Sequence, residues 1–256
     1  MVISGVPQAV LSNVSKRYGS SPPVLQQIDL SIAKGEFVSL IGPSGCGKST
    51  LLKLISGLSS ASSGSILVDG MTAVNARETI SFIFQDATLL PWRTVTNNVG
   101  LGLELEHVSR EIRKQKVESL LQLVGLTHVA HSYPRQLSGG MKMRVSVARA
   151  LAIRPRLLLM DEPFGALDEM TRDRLNEELL RLREEQNWTA VFVTHSVAEA
   201  VFLSTRIVVL APSPGRIAQQ IAVDLPFPRT SVTRESPEFE SLVTSVSRAL
   251  RGVQSA

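Results

Sequence analysis

The sequence predicts an α/β fold: a largely parallel sheet flanked by helices, interrupted by a mostly helical insert. Three observations carry that expectation. Short apolar runs alternate with helical patterns, a glycine-rich turn joins an early buried run to a helix, and strand character is lost between about 90 and 155. With 256 residues, 43% hydrophobic and 20% charged, the chain suffices for one large core or a core with a subdomain. That composition excludes general disorder, and no apolar run approaches the ~18–20 residues of a membrane-spanning helix. The opening MVISGVPQAV has no basic region followed by an apolar run, so no secretory leader is expected. A single cysteine, Cys46, allows no internal disulfide and favours a reducing compartment.

Taken in order, residues 9–15 and 24–32 are strand-like, and Lys34-Gly35-Glu36 makes a turn. Residues 37–41 (FVSLI) are continuously apolar apart from one serine, as expected of a strand covered on both faces. A helix over 49–56 closes at Gly57, and strands follow over 64–69 and 79–84. In the insert, Ser109 is positioned to cap a helix with Val117, Leu120, Leu121 and Val124 on one stripe and Gly125 at its end. A second helix spans about 140–153, stopped by Arg154-Pro155. Strand and helix then alternate: 157–161 strand, 168–185 helix, 189–194 strand, 197–203 helix, 206–210 strand. The long helix buries Leu175, Leu179 and Leu182, and Glu177 is spaced to pair with Arg181. A final amphipathic helix starts at Ser236-Pro237, carries Phe239, Leu242, Val243 and Val246, and ends at Gly252.

Basic residues outnumber acidic ones by only 27 to 23. The densest basic cluster, Arg110 to Lys116, includes Glu111 and reads as a solvated helix face, so no nucleic-acid partner is expected.

Gly42-Pro43-Ser44-Gly45-Cys46-Gly47-Lys48-Ser49 fits the G-x-x-x-x-G-K-[ST] phosphate loop, with Thr50 next in the helix. The glycines let backbone N–H groups wrap a polyphosphate, and the helix directs its positive end at the same anion. Lys48 is placed to reach the β- and γ-phosphates and Ser49 to ligate Mg²⁺. Residues 157–162 (LLLMDE) end a buried strand in two carboxylates: Asp161 suits the Mg²⁺ shell, and Glu162 suits orienting or deprotonating an attacking water. Leu137-Ser138-Gly139-Gly140 opens a helix and forms another anion cradle. One nucleotide has no evident use for two cradles nearly 90 residues apart, whereas a dimer does.

At these residues the chain resembles the ATP-binding subunit of ATP-binding cassette (ABC) transporters, over about residues 8–225. The resemblance implies a RecA-like core, an antiparallel β subdomain and a helical subdomain at about 88–156. It implies a nucleotide-binding domain over 1–225, followed by a short extension, 226–256, with one amphipathic helix. By the same resemblance Tyr18 stacks on adenine, and Gln85 senses Mg²⁺ and γ-phosphate. Residues 137–141 match the LSGGQ signature, Asp168 lies in the loop linking the two sites, and His195 is the switch histidine. ATP and Mg²⁺ are the implied ligands, bound between two identical cassettes. The signature departs from the family in ending at Met141 rather than Gln. Cys46 occupies a free loop position and reads as filler, although its thiol would lie by a helix N-terminus, which lowers thiol pKa and would open redox control there.

The run Asp86 to Val95 (DATLLPWRTV) is similar to the nitrate, sulfonate, taurine and bicarbonate importer branch, which also includes importers of pyrimidine-type vitamin precursors. That likeness implies an integral-membrane permease contacted through Pro91, Trp92 and Arg93. It further implies an external solute-binding protein as an indirect partner and a peripheral place on the cytoplasmic face of the cell membrane. The rivals are a soluble ABC-type ATPase acting on nucleic acid or ribosomes and an exporter subunit. The first lacks the long coiled coil or the second phosphate loop it would need.

Overall fold

The computed structural model describes residues 7–254, so Met1 to Val6 of the stretch read for a leader lie outside it. In chain order it runs β1 (Ala9–Lys16), β2 (Leu25–Ile32), β3 (Phe37–Ile41), α1 (Lys48–Ile55), β4 (Ser63–Val68), β5 (Met71–Thr72) and β6 (Ile80–Ile83). The insert follows as α2 (Val95–Val99), α3 (Leu101–Leu105), α4 (Arg110–Leu123) and α5 (Gly139–Ala152). Then come β7 (Leu157–Asp161), α6 (Glu169–Gln186), β8 (Thr189–Val193), α7 (Val197–Leu203), β9 (Arg206–Ala211) and β10 (Arg216–Ala222). Two helices close the described chain, α8 (Ser231–Arg234) and α9 (Pro237–Gln254).

Two sheets result. The larger has the order β10-β9-β3-β8-β7-β6, parallel except for β10, which pairs antiparallel with β9. The smaller, β2-β1-β4-β5, is antiparallel. The apolar runs seen in sequence are the inner strands of the larger sheet, whose alternate side chains enter two different cores. Phe37, Leu158, Met160, Phe192 and Val209 pack with the insert and α6, α7 and α9. Val38, Leu40, Leu157, Leu159 and Val193 pack with α1 and the smaller sheet. Covering both faces requires nearly every residue to be apolar, which explains why these strands lack polar alternation.

Caps set several helix starts. Asp168 accepts from Thr171 N at 2.9 Å before α6, and Ser236 Oγ accepts from Phe239 N at 3.2 Å in α9. Gly125, at φ +66°, stands just beyond α4 and turns the chain so that Leu126 N reaches Leu121 O at 2.8 Å. Among the described residues no helix is long and apolar enough to cross a membrane.

Four details depart from the sequence reading. Ser109 holds the N-cap position of α4, but its side chain makes no capping bond. Arg181 pairs with Glu178 and Glu185 rather than Glu177, at 2.9 and 2.5 Å, while Glu177 lies in the field of Arg234. Helix α9 runs through Gly252 to Gln254, since its packing on α7 and β9 outweighs the roughly 1 kcal/mol helix penalty of one glycine. The extension after 226 contains α8 as well as α9. Strands β5 and β10 had no expectation attached. β5 is two residues long, and β10 reads RIAQQIA with only Ile217 and Ile221 turned partly inward.

Candidate functional site

The site lies at the carboxyl ends of the parallel strands, the usual ligand position in such sheets. The phosphate loop leaves β3 and enters α1. Gly47, the N-cap of α1, has φ +95°, and a Cβ there would sit 2.6 Å from Leu25 Cδ2, so backbone conformation and space both require glycine. At Gly42 a Cβ would come within 2.6 Å of Leu210 O and 2.7 Å of Cys46 Sγ. Among the described residues, the N–H groups of Gly45, Gly47, Ser49 and Thr50 donate to no protein acceptor; the helical ladder begins with Leu51 N on Gly47 O at 2.9 Å. Such a group of converging unpaired donors fits a polyphosphate. Lys48 is buried, and its Nζ donates to Gly42 O at 2.8 Å and Pro43 O at 3.0 Å. The ammonium is therefore stationed inside the loop, within reach of whatever the loop holds.

Three neighbouring strands supply the rest. In register, Ile83 of β6 pairs with Met160 of β7, and Asp161 of β7 with Val193 of β8. Gln85, Glu162 and His195, each one or two residues beyond those strands, therefore converge. Gln85 Nε2 donates to Glu162 Oε2 at 3.4 Å, and His195 Nδ1 stands 3.5 Å from the same oxygen. Glu162 has φ +48°, a left-handed conformation uncommon for a non-glycine residue, and its N–H donates to Val193 O at 3.0 Å. Beside it, Ser49 Oγ donates to Asp161 Oδ1 at 3.0 Å. Asp161 is buried, and loss of water raises its carboxyl above the ordinary range; the bond from Ser49 opposes that shift and is outweighed. A hydroxyl and a carboxylate in contact, with the Gln85 amide just beyond the adjacent strand β6, form an all-oxygen donor set that suits Mg²⁺.

The other expected residues lie apart. Ser138 caps α5, accepting from Met141 N at 3.3 Å, and Gly139 is open to solvent. Gly140 faces Ala166 and Leu167, with Leu167 Cδ2 3.0 Å from the position of a Cβ. The signature turn therefore adjoins the loop preceding Asp168. The Thr171 backbone amide holds the exposed Asp168 carboxyl below the usual range. Tyr18 is 47% exposed in the β1–β2 connection, under Lys16 Nζ at 4.6 Å. That connection ends at Leu25, which touches Gly47.

Cys46 is not the lowered thiol that a place beside a helix N-terminus suggests. It is fully buried, and desolvation raises its thiol pKa, outweighing the lowering by nearby Lys48.

Some organising residues gave no sequence signal. Asn98, fully buried, accepts from Leu90 N at 2.8 Å and donates to the carbonyls of Leu90, Arg93 and Thr94 at 3.0–3.1 Å. Arg149 donates to Ala87 O and Thr88 O at 3.0 and 2.9 Å. Together they brace the segment after Gln85 and leave Trp92 72% exposed at its tip. Arg93, expected to face outward, instead pairs with Glu104 at 2.6 Å. An asparagine and an arginine on helices are too ordinary in sequence to announce such roles.

Residues 25–165 match the family model described as ABC transporter. The chain belongs to the ABC transporter family. It is an ABC-type ATP-binding subunit and ATPase. An ATP-binding protein of Brucella abortus is 46% identical over 95% of this chain and 94% of its own length. The nitrate import ATP-binding protein of Synechococcus elongatus is 48% identical over 85% of this chain, which spans 34% of that protein. The bicarbonate transport ATP-binding protein of the same organism is 48% identical over 92% of this chain and 37% of its own length. Among solved structures, the ATP-binding cassette MJ0796, in a dimeric post-hydrolysis state bound to ADP and Pi, superposes with a TM-score of 0.78. It is 33% identical and covers 85% of this ABC chain and 100% of its own.

Proposed function

We propose that this ABC subunit powers the uptake of a small solute through a separate integral-membrane permease, working as a homodimer on the cytoplasmic face of the cell membrane. The solute class is that of the nitrate, sulfonate, taurine and bicarbonate branch or of pyrimidine-type precursors, delivered to the permease by an external binding protein. The observation that carries the importer reading is Trp92: a large apolar side chain 72% exposed, on a segment that Asn98 and Arg149 hold rigid. An indole fixed outward on a braced loop is an anchor for another protein. The likeness to nitrate and bicarbonate import subunits supports the same reading, and the dimeric cassette neighbour supports pairing of two copies.

In this mechanism Tyr18 stacks on adenine, and the amides of residues 45–50 with Lys48 grip the phosphates. Ser49, Asp161 and Gln85 would hold Mg²⁺, which when bound would supply charge neutralisation on the phosphate oxygens. Glu162 orients and deprotonates the attacking water, while His195 contacts the γ-phosphate. Ser138, Gly139 and Gly140 close over the partner subunit's nucleotide, and Asp168 links the two sites. Hydrolysis reopens the dimer, and the movement reaches the permease through residues 85–95.

The test is a tagged purification from detergent-solubilised native membranes. Co-purification of a multi-span permease with an external binding protein supports the proposal. Nucleic acid, ribosomes or soluble partners alone would overturn the transport role and leave the ATPase chemistry standing.

A further inference from the structure

The side chain of His195 is 67% exposed, yet the residues on either side of it are not free. Thr194 and Glu199 are buried polar residues, 3% and 5% exposed. Thr194 Oγ1 donates to Glu199 Oε2 and accepts from Ser196 N at 3.0 Å. Ser196 Oγ in turn accepts from Glu199 N at 3.3 Å and caps α7. This closed set of bonds spans His195 from both sides and fixes its backbone at the end of β8.

Glu199 also looks outward from its own helix. Its Oε1 has no hydrogen-bond partner among the described residues. Arg172 and Asn176 of α6, His195, and Arg234 of α8 face it. Arg172 Nη2 donates to Leu167 O at 2.9 Å, in the loop that adjoins Gly140. A Cβ on Gly165, in the same loop, would stand 3.8 Å from His195 Cε1. The histidine turn thus adjoins residues 165–168 directly at Gly165, and the buried Glu199 carboxylate is tied to the same turn through Thr194. Burying a carboxylate is unfavourable for folding alone, and an apolar residue of similar volume would pack there at lower cost.

We propose that Thr194 and Glu199 are positioning residues for His195, holding it in register with residues 165–168. The proposal rests on the reading of His195 given above. Both are buried and act through the histidine.

ATP hydrolysis by the purified full chain tests this. Thr194→Val removes the hydroxyl at nearly constant shape, and Thr194→Ser keeps it. Thr194→Val is expected to lower kcat about tenfold with KM within about twofold, and Thr194→Ser to restore most of the rate. In a His195→Ala background the same Thr194→Val change should alter the residual single-turnover rate by less than about twofold, since the interaction it supports is already gone. Equal losses in both backgrounds, or wild-type kcat in Thr194→Val, would overturn the proposal. Should Thr194→Val melt well below wild type, Glu199→Gln serves instead: it keeps an acceptor for Thr194 but removes the charge facing Arg172. Its loss of kcat should likewise vanish in His195→Ala, and persistence of the loss there would count against the proposal. Wild-type turnover in His195→Ala itself would remove the histidine reading and this proposal together, and is recognisable separately from a failure of Thr194→Val.

Discussion

Arg229 offers the sharpest stability test. It is 3% exposed, and its Nη1 donates to Val201 O, Phe202 O and Ser204 O at 3.1, 2.8 and 2.8 Å, while Nη2 donates to Leu225 O at 3.0 Å. Those first three acceptors are the orphan carbonyls at the C-terminus of α7, where the helix dipole also favours a cation. The guanidinium lies 4.1 Å from the Phe227 ring. Burial pushes its pKa down to about 10, so it remains a cation at neutral pH. Arg229→Met removes all four bonds and keeps most of the volume. A bond from a charged donor is worth about 1.5–3 kcal/mol, but the four share one group, and removing a buried charge recovers part of its desolvation. A net loss of about 3 kcal/mol follows, or roughly 6–12 °C in Tm for a chain of this size. Calorimetry on wild type, Arg229→Lys and Arg229→Met should give that order of stability, with lysine intermediate because it lacks the planar fork. A melting point for Arg229→Met within about 1 °C of wild type would refute the latch and the bond energies assigned to it.

The remaining predictions concern activity and reactivity. Glu162→Gln should bind ATP, accumulate as a closed dimer on size exclusion, and turn over about a hundredfold or more slowly; wild-type turnover would remove Glu162 from the chemistry. Trp92→Ala should reduce solute uptake in cells more than it reduces ATPase activity in detergent, because the side chain touches little of its own chain; equal losses would sink its assignment to the permease contact. Cys46 should resist iodoacetamide in the native protein at pH 8, reacting on the order of a hundredfold more slowly than in denatured chain, because it is buried and held as the thiol. Rapid native labelling would restore a redox role for that position.

Much of the site was legible because its chemistry is local. The phosphate loop needs its glycines, lysine and serine at fixed spacing, and Asp168 announces itself as a cap three residues before the amide it accepts. The parallel strands were legible too, since covering both faces demands unbroken apolar runs such as 37–41 and 157–160. The meeting of Gln85, Glu162 and His195 is different in kind. It depends on the order β6-β7-β8, and strand order is set by the packing of whole helices. Resemblance to a family supplied those roles, while spacing alone left each residue with an ordinary alternative.

By itself, the sequence determined most of the elements, the loop and the carboxylates, because hydrophobic period, capping and backbone conformation act over a few residues. Only the tertiary structure decided the burial of Cys46, the bracing of residues 86–94 by Asn98 and Arg149, the passage of α9 through Gly252, and the clustering of Thr194, Glu199 and Arg172. For Cys46 and α9 the deciding quantity is water removed by segments distant in the chain. Desolvation of that kind has no period and no local spacing from which it could be read.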